Sequence, residues 1–268
     1  LHFFCIGFIK KIFIANNLAG LTDHIFEVGA VDSLTGITAA ISYSIQLYFD
    51  FSGYSDMAIG LGHLFGFQFP QNFNSPYKST SITDFWRRWH ISLSTWFRDY
   101  LYIPLGGNKG TRLGTAKNLL IVMFLCALWH GASYNFLMWG LGHAGLLIAE
   151  RFFRKKISFK FPHIISRSYC LFFVVSLWIP FHSLSNYQFI EGILNLKSIE
   201  DSLIYNLINI NYIFSLLVGI VIALFMPNSD ELVKVESKLN LSLLIFIFFL
   251  SILEMLGQDY NPFLYFNF

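Results

Sequence analysis

The chain is built from long apolar runs in which polar residues are scattered singly. A helix needs about 20 apolar residues to cross the hydrocarbon core of a bilayer, and such runs recur along the sequence. We therefore expect about five or six spans, arranged as an all-α, multi-pass transmembrane helical bundle that forms a single membrane domain over residues 1–268. The runs lie at roughly 1–21, 35–67, 118–149, 168–184, 203–226 and 239–257.

Composition leads to the same class of protein. Apolar residues make up 55% of the chain, charged residues only 13%, and the mean hydropathy is +0.55, whereas a soluble domain carries about 25% charged residues. The net charge of +2 is too small to indicate nucleic-acid binding. Cys5, Cys126 and Cys170 lie in apolar runs without the spacing of a disulfide framework or a metal site. The lipid bilayer is the predicted partner, with no metal and no nucleic acid.

Basic residues predict which side of the membrane the connecting segments occupy. Residues 78–117 contain seven Lys or Arg and only two acids, and residues 151–167 contain six Lys or Arg and no acid. Cytoplasmic loops carry the excess of Lys and Arg. Both stretches are therefore predicted to lie on the cytoplasmic side.

The segment between these stretches carries the first candidate for chemistry. Residues 118–149 contain no Asp, Glu, Lys or Arg, and as one helix they would reach about 48 Å, beyond a hydrocarbon core of about 30 Å. Because both flanks are predicted on one side, the segment should enter and return, breaking at Trp129-His130-Gly131-Ala132-Ser133. A re-entrant hairpin or tight helix pair would place His130 deep, beside a cavity. From the residues alone, a packed histidine and a functional one remain equally good interpretations.

A second candidate is the Trp- and Arg-rich run 83–100. Read as one helix, it places positions 83, 87, 90, 94 and 97 on one face and lets Asp84 pair with Arg88. The aromatic and basic residues could form an interfacial belt with snorkelling cations. Alternatively, Arg87, Arg98 and the tryptophans could line the access path of an anionic donor.

Two acids lie in an apolar run at Asp50 and Asp56. They could be catalytic acids, or buried hydrogen-bond acceptors that fix a kinked helix at Gly53; the residues favour the second. His63 and His143, each beside glycines, are interpreted as packing histidines.

Three ordered blocks resemble the membrane-bound O-acyltransferase family, and within it the bacterial branch that contains the membrane subunit of alginate O-acetyltransferases. They are Tyr48-Phe49-Asp50-Phe51-Ser52-Gly53-Tyr54-Ser55-Asp56, then Trp86-Arg87-Arg88-Trp89-His90-Ile91-Ser92-Leu93-Ser94 with Trp96-Phe97-Arg98-Asp99-Tyr100, then Trp129-His130-Gly131 with Asn135-Phe136.

The resemblance implies acyl transfer to a hydroxyl. His130 matches the histidine of the family and His90 its second histidine, while Trp129, Asn135, Arg87, Arg98, Asp50 and Asp56 would bind substrate or support the site. Asn135 and the amides around Gly131 are candidate donors to the oxyanion.

The resemblance also implies the molecules around the protein. It implies no tightly bound cofactor, an acetyl-CoA or acyl carrier thioester donor on the cytoplasmic side, and a polysaccharide acceptor. It further implies a periplasmic or extracellular partner resembling SGNH hydrolases, and a place in the bacterial cytoplasmic (inner) membrane. Members of the branch are longer at the amino end, and this chain starts at Leu1, so we expect it to be the carboxyl-terminal portion of a longer protein.

Two other functions remain open. The protein could be a transporter or channel for acyl groups or protons, with His130 and Asp50 as relay groups. It could also be a scaffold that holds a periplasmic acyltransferase.

Overall fold

The structure is a computed structural model that describes residues 1–29, 32–153, 161–182, 186–198, 201–207, 209–234 and 241–258. Every regular element in these residues is helical, which confirms the predicted fold class. A π-helical segment, Lys10–Asn16, joins the first two helices, and a second one, Arg98–Tyr102, follows the fifth. The helices are α1 (His2–Ile9), α2 (Asn17–Val28), α3 (Ser33–Leu64), α4 (Ile82–Trp86), α5 (Ile91–Phe97), α6 (Arg112–His130), α7 (Tyr134–Phe153), α8 (His163–His182), α9 (Asn186–Leu194), α10 (Leu203–Leu207), α11 (Ile210–Phe225), α12 (Ser229–Lys234) and α13 (Leu241–Leu256).

Three helices of the described chain are long and apolar enough to cross a membrane, fewer than the five or six predicted. They are the continuous helix His2–Val28, Arg112–His130 and His163–His182. The helices α11 and α13 are apolar but have only 16 residues each. Helix α3 has 32 residues, but buried Ser, Gln and Asp side chains lower its hydropathy. The chain is a membrane protein, and its number of crossings stays a prediction.

The described residues form two compact units. The first unit comes from Leu1–Asn72 and Ser185–Phe268, and its centre is the contact of α1 with α3. A β-carbon added to Gly53 would lie 2.7 Å from the carbonyl oxygen of Gly7, and one added to Gly60 would lie 2.6 Å from the amide nitrogen of Phe4. These glycines therefore let the two helix backbones touch.

Helix α3 of this unit begins with a polar cap. The Asp32 carboxylate accepts hydrogen bonds from the Thr35 amide at 2.9 Å, the Ser202 hydroxyl at 2.7 Å and the Leu203 amide at 3.1 Å. Burial alone would raise the pKa of Asp32, but the hydrogen bonds from Thr35, Ser202 and Leu203 outweigh it and lower that pKa to about 2.

The second unit, Phe73–Leu184, contains α4 to α8. Helices α6 and α7 form a tight pair, since a β-carbon on Gly140 would lie 2.7 Å from the carbonyl oxygen of Met123. The chain breaks after His130, where Gly131 has φ +148°, so the predicted breaking point is confirmed. Re-entry of this pair into the membrane stays a prediction, and Arg154, Lys155, Lys156 and Lys160 of the second basic stretch lie outside the described residues.

The prediction of one helix over 83–100 is wrong. Helix α4 ends at Trp86, His90 has the left-handed φ of +44°, and α5 starts at Ile91. At this turn the carbonyl of Arg88 accepts a hydrogen bond from the Asn74 amide at 2.9 Å. The predicted common helical face therefore does not form, although the Asp84–Arg88 ion pair does, at 3.0 Å.

Candidate functional site

The second unit brings His90, Trp129 and His130 together. His130 is the last residue of α6 and His90 precedes α5, and the two side chains belong to residues only 9% and 8% exposed. The Trp129 ring lies 6.1 Å from the His90 ring and 4.9 Å from the His130 ring, between centroids. Trp129 itself is 53% exposed. One exposed indole thus flanks two buried imidazoles.

Aromatic rings enclose His130 on its other sides. The centroid of its ring lies 5.1 Å from that of Trp139, 5.1 Å from that of Phe181 and 6.0 Å from that of Phe136. Such apolar surroundings keep water away from the ring. This arrangement suits a side chain that exchanges a proton with a substrate.

The turn that carries His90 lies outside the candidate membrane-spanning helices. Burial, together with the nearby His130, lowers the pKa of His90 to about 3. His90 is therefore neutral at ordinary pH. Its left-handed backbone is unusual for a residue other than glycine and costs about 1–3 kcal/mol where the surroundings enforce it.

A cavity of about 210 Å³ opens beside α4 and α5. Its polar lining includes Arg87, Arg98 and Ser94, and Trp86 forms part of the wall. Arg98 pairs with the neighbouring Asp99 at 2.7 Å, whereas the exposed side chain of Arg87 makes no hydrogen bond or ion pair within the described parts of the chain. The cavity therefore offers a cation to an incoming anion.

One face of α6 forms part of the apolar wall of this cavity. Leu119, Val122, Met123 and Cys126 all line it, and their spacing of three and four residues is that of a single helical face. His130 is the next residue along the same face, one turn after Cys126. The cavity and the buried histidine thus share one stripe of α6.

The two acids belong to the first unit, and each is bound by a lysine. Lys11 donates to Asp50 through a short hydrogen bond, and both side chains are buried. Lys10 donates to Asp56 at 2.7 Å, and the hydroxyl of Ser229 donates to the same oxygen at 2.5 Å. This geometry agrees with a supporting role, since each carboxylate already has a cationic partner. Gly53 between them faces α1 in an unbroken α3.

Asn135 lies in the first turn of α7, half-buried and five residues beyond His130. The amide of Gly131, a candidate donor to an oxyanion, instead donates to the carbonyl of Leu128 at 3.1 Å. That amide is engaged in ending the helix.

Sequence reasoning missed several partners. Lys10 and Lys11 could have been matched to Asp50 and Asp56, because a charge in an apolar run needs a counter-charge. His143 packs among aromatic rings as expected, but it also accepts a hydrogen bond from the Trp86 indole at 3.2 Å. Glu150 binds two amides of α4. No spacing in the sequence indicates the last two contacts.

Comparison with known proteins gives the following matches. The sequence model of the membrane-bound O-acyltransferase family matches residues 1–190. A probable alginate O-acetylase of Pseudomonas putida is 38% identical over 287 residues, covering 98% of this chain and 59% of that protein. A peptidoglycan O-acetyltransferase of Helicobacter pylori is 37% identical over 300 residues, covering 100% of this chain and 56% of that protein.

A more distant match is a teichoic acid D-alanyltransferase of Bacillus subtilis, 34% identical over 163 residues, covering 58% of this chain and 39% of that protein. The chain spans little more than half the length of the relatives that it matches from end to end.

Proposed function

The chain belongs to the membrane-bound O-acyltransferase family, and from this premise we propose that the whole protein transfers acetyl groups from a cytoplasmic thioester to hydroxyls of an exported or surface polysaccharide. The observation that carries the proposal is the buried His130, enclosed by aromatic rings at the end of the same α6 face that lines an arginine-bearing cavity. The names of the relatives support an acyl transfer toward a cell-surface polymer.

The proposed chemistry needs one proton acceptor. The hydroxyl oxygen attacks the thioester carbonyl carbon, His130 takes the hydroxyl proton, and the thiolate leaves and receives that proton. An imidazole suits this exchange because it accepts and releases a proton near neutral pH. His90, held neutral beside Trp129, would assist as the second histidine. Negative charge on the carbonyl oxygen needs nearby donors, and Asn135 remains the candidate.

The donor would reach the site through the cavity. Its volume of about 210 Å³ is below the roughly 300–1,000 Å³ of pockets that enclose a whole drug-sized ligand. We therefore propose that it takes the acyl end of acetyl-CoA or of an acyl carrier thioester. Arg87, which has no ion-pair partner in the described chain, would bind a phosphate of either donor. No tightly bound cofactor is required.

The cellular location and the partner of the protein are proposed on the same basis. The protein would lie in the bacterial cytoplasmic (inner) membrane as a multi-pass protein and would work with a periplasmic or extracellular partner resembling SGNH hydrolases. A relay function for Asp50, on which the transporter alternative depends, is less favoured because Lys11 holds its carboxylate.

Mass analysis of the surface polysaccharide tests the proposal. Cells that carry the full-length gene should have an acylated polymer, cells without it should not, and cells with the His130→Ala variant should resemble the deletion. Acylation that is equal in all three strains would contradict the proposal. Proton-coupled flux through purified protein without acyl transfer would favour the transporter.

Arg87 gives a test of the donor path. Arg87→Gln should raise the KM for the thioester about tenfold, the loss expected for one charge-assisted hydrogen bond. Arg112→Gln is the matched control, because Arg112 is exposed on α6 and does not line the cavity.

A further inference from the structure

Helix α4 supplies much of the cavity wall but is too short to be stable alone. Thr83, Trp86 and the following Arg87 all line the cavity, yet the helix has only five residues. A single helical turn gains too few hydrogen bonds to offset the ordering of its backbone. Other parts of the second unit must therefore hold this wall.

Glu150, near the end of α7, holds the first turn of α4. One carboxylate oxygen accepts from the Ile82 amide at 2.6 Å, and the other accepts from the Thr83 amide at 3.0 Å and from the Thr83 hydroxyl at 2.8 Å. The first amides of a helix have no partner within the helix, and a negative charge at that end is favourable. Glu150 thus satisfies the beginning of α4 from outside.

His143, also on α7, holds the other end. The indole N–H of Trp86 donates to Nδ1 of His143 at 3.2 Å, which leaves the proton of the neutral ring on Nε2. His143 is completely buried, and its ring lies parallel to that of Phe85 at 6.2 Å and edge-on to that of Trp139 at 5.3 Å. A ring enclosed in this way fixes the direction of the Trp86 indole in the wall.

The two residues act from one face of α7. Positions 143 and 150 are seven residues apart, which is two helical turns, and Leu147 between them lines the cavity directly. The same helix follows His130 after the break at Gly131. Helix α7 therefore belongs to the helix pair that carries His130, and through its residues 143 and 150 it also contacts the α4 wall next to Arg87.

We propose that His143 and Glu150 are positioning residues that hold the α4 wall of the cavity in the form that binds the thioester donor. This inference rests on the proposed function. Neither residue touches the reacting atoms in it, so the loss of either should weaken donor binding more than it slows the chemical step.

Steady-state kinetics of the purified full-length protein test the inference. Glu150→Ala and His143→Phe should each raise the KM for the thioester about tenfold, with kcat within about threefold of the wild type. Glu150→Gln, which keeps one acceptor oxygen, should recover part of the loss. His63→Phe and Glu191→Gln are matched controls, since both side chains are exposed in the first unit, and both should leave the KM unchanged.

Trp86→Phe keeps an aromatic side chain in the wall but removes the indole N–H, so it carries the test if His143→Phe does not fold. When His143→Phe and Trp86→Phe both fold, the variant that combines them should raise the KM for the thioester no further than either single variant. Each substitution removes the same hydrogen bond. Additive increases in KM would overturn the pairing.

A second readout does not depend on acyl transfer. Cys126 is buried and lines the cavity, so a loosened wall should raise its rate of labelling by a small methanethiosulfonate about tenfold, as mapped by mass spectrometry. Cys5, buried in the first unit, should keep its rate. If the wild-type protein transfers no acyl group, faster labelling of Cys126 in the variants would still show that the two residues hold the cavity wall, and only the proposed function would be refuted. A lower melting temperature with unchanged KM and unchanged Cys126 labelling would show that the two residues only stabilise the fold.

Discussion

The two compact units bury polar side chains in opposite ways. The first unit buries charges as pairs, Lys10 with Asp56 and Lys11 with Asp50, between helices whose backbones touch at glycines. The second unit buries the imidazoles of His90, His130 and His143 among aromatic rings.

This difference indicates which buried groups suit a role in supporting the fold and which suit a role in proton transfer. A buried ion pair is stable only while both partners remain, because each charge alone would have to be desolvated without compensation. A buried neutral imidazole has one donor and one acceptor nitrogen, and the acceptor nitrogen can take a proton from a bound hydroxyl. Asp50 and Asp56 therefore fit a supporting role and the histidines of the second unit fit proton transfer; both roles stay predictions.

Removal of one partner of a buried pair should have the largest effect on stability. Asp50→Ala leaves the ammonium of Lys11 buried without its counter-charge and should lower the free energy of unfolding by about 3–5 kcal/mol. Thermal unfolding of the full-length protein in detergent measures this. The control is Lys11→Met combined with Asp50→Leu, which should be close to neutral. If Asp50→Ala alone were as stable as the wild type, the stability of the first unit would not depend on its buried ion pair.

The glycine contact between α1 and α3 in the first unit should have the next largest effect on stability. Gly53→Ala places a methyl group against the Gly7 carbonyl and should cost about 1–3 kcal/mol of unfolding free energy. Gly145→Ala on α7 is the control, because no atom lies within 4 Å of the added carbon, and alanine is the better helix former by up to about 1 kcal/mol. Equal effects of the two substitutions would show that α1 and α3 can move apart freely.

Acid should destabilise the second unit before the first. His90 has a pKa of about 3 in the folded protein against an ordinary 6.5, so below pH 6.5 the unfolded state binds a proton that the folded state does not. The unfolding free energy should then fall on acidification by at most about 1.4 kcal/mol per pH unit. His90→Phe should reduce this slope, as measured by melting temperature between pH 7 and pH 4, while the buried His130 and His143 keep their share of it.

Asp32 supplies the comparison for the first unit. Its pKa is lowered from 3.8 to about 2, so its contribution is fully present above about pH 4 and is lost as the pH falls through 2. Asp32→Asn should therefore leave the slope between pH 7 and pH 4 intact. A wild-type protein with flat stability over that interval would contradict the neutral burial of His90.

The partly exposed Asp84–Arg88 pair of the second unit should matter least among these substitutions. Asp84 and Arg88 are partly exposed and four residues apart, so Asp84→Asn should cost only about 0.3–0.5 kcal/mol. The melting temperature should therefore change little, in contrast to Asp50→Ala. A large loss would mean that charges in the second unit also carry the fold.

Much of the fold follows from local sequence patterns. The helices and the break at Gly131 could be predicted because apolar length and a glycine act on their immediate neighbours. The helix over 83–100 could not, because the turn at His90 depends on Asn74, a residue distant in sequence that pairs with Arg88. From the sequence alone, the polar residues of α3 are also compatible with a membrane-spanning helix, because the sequence does not show which residues they contact.

The candidate site divides in the same way. The motif blocks indicate His90, Trp129 and His130, and the structure brings these three together; their roles stay predictions. The partners of Asp50 and Asp56, and the contacts of His143 and Glu150 with α4, join residues 39 to 68 positions apart. Such contacts depend on how helices pack, which no spacing along one chain specifies.

We propose that the buried histidine at the end of α6 performs the proton transfer and that the buried charges only support the fold. Acyl transfer per mole of folded full-length protein, measured for His130→Ala, tests it most directly. We predict a loss of about 10²–10⁴-fold, while the Lys11→Met and Asp50→Leu double variant keeps its activity. Acyl transfer by His130→Ala at the rate of the wild type would contradict the account.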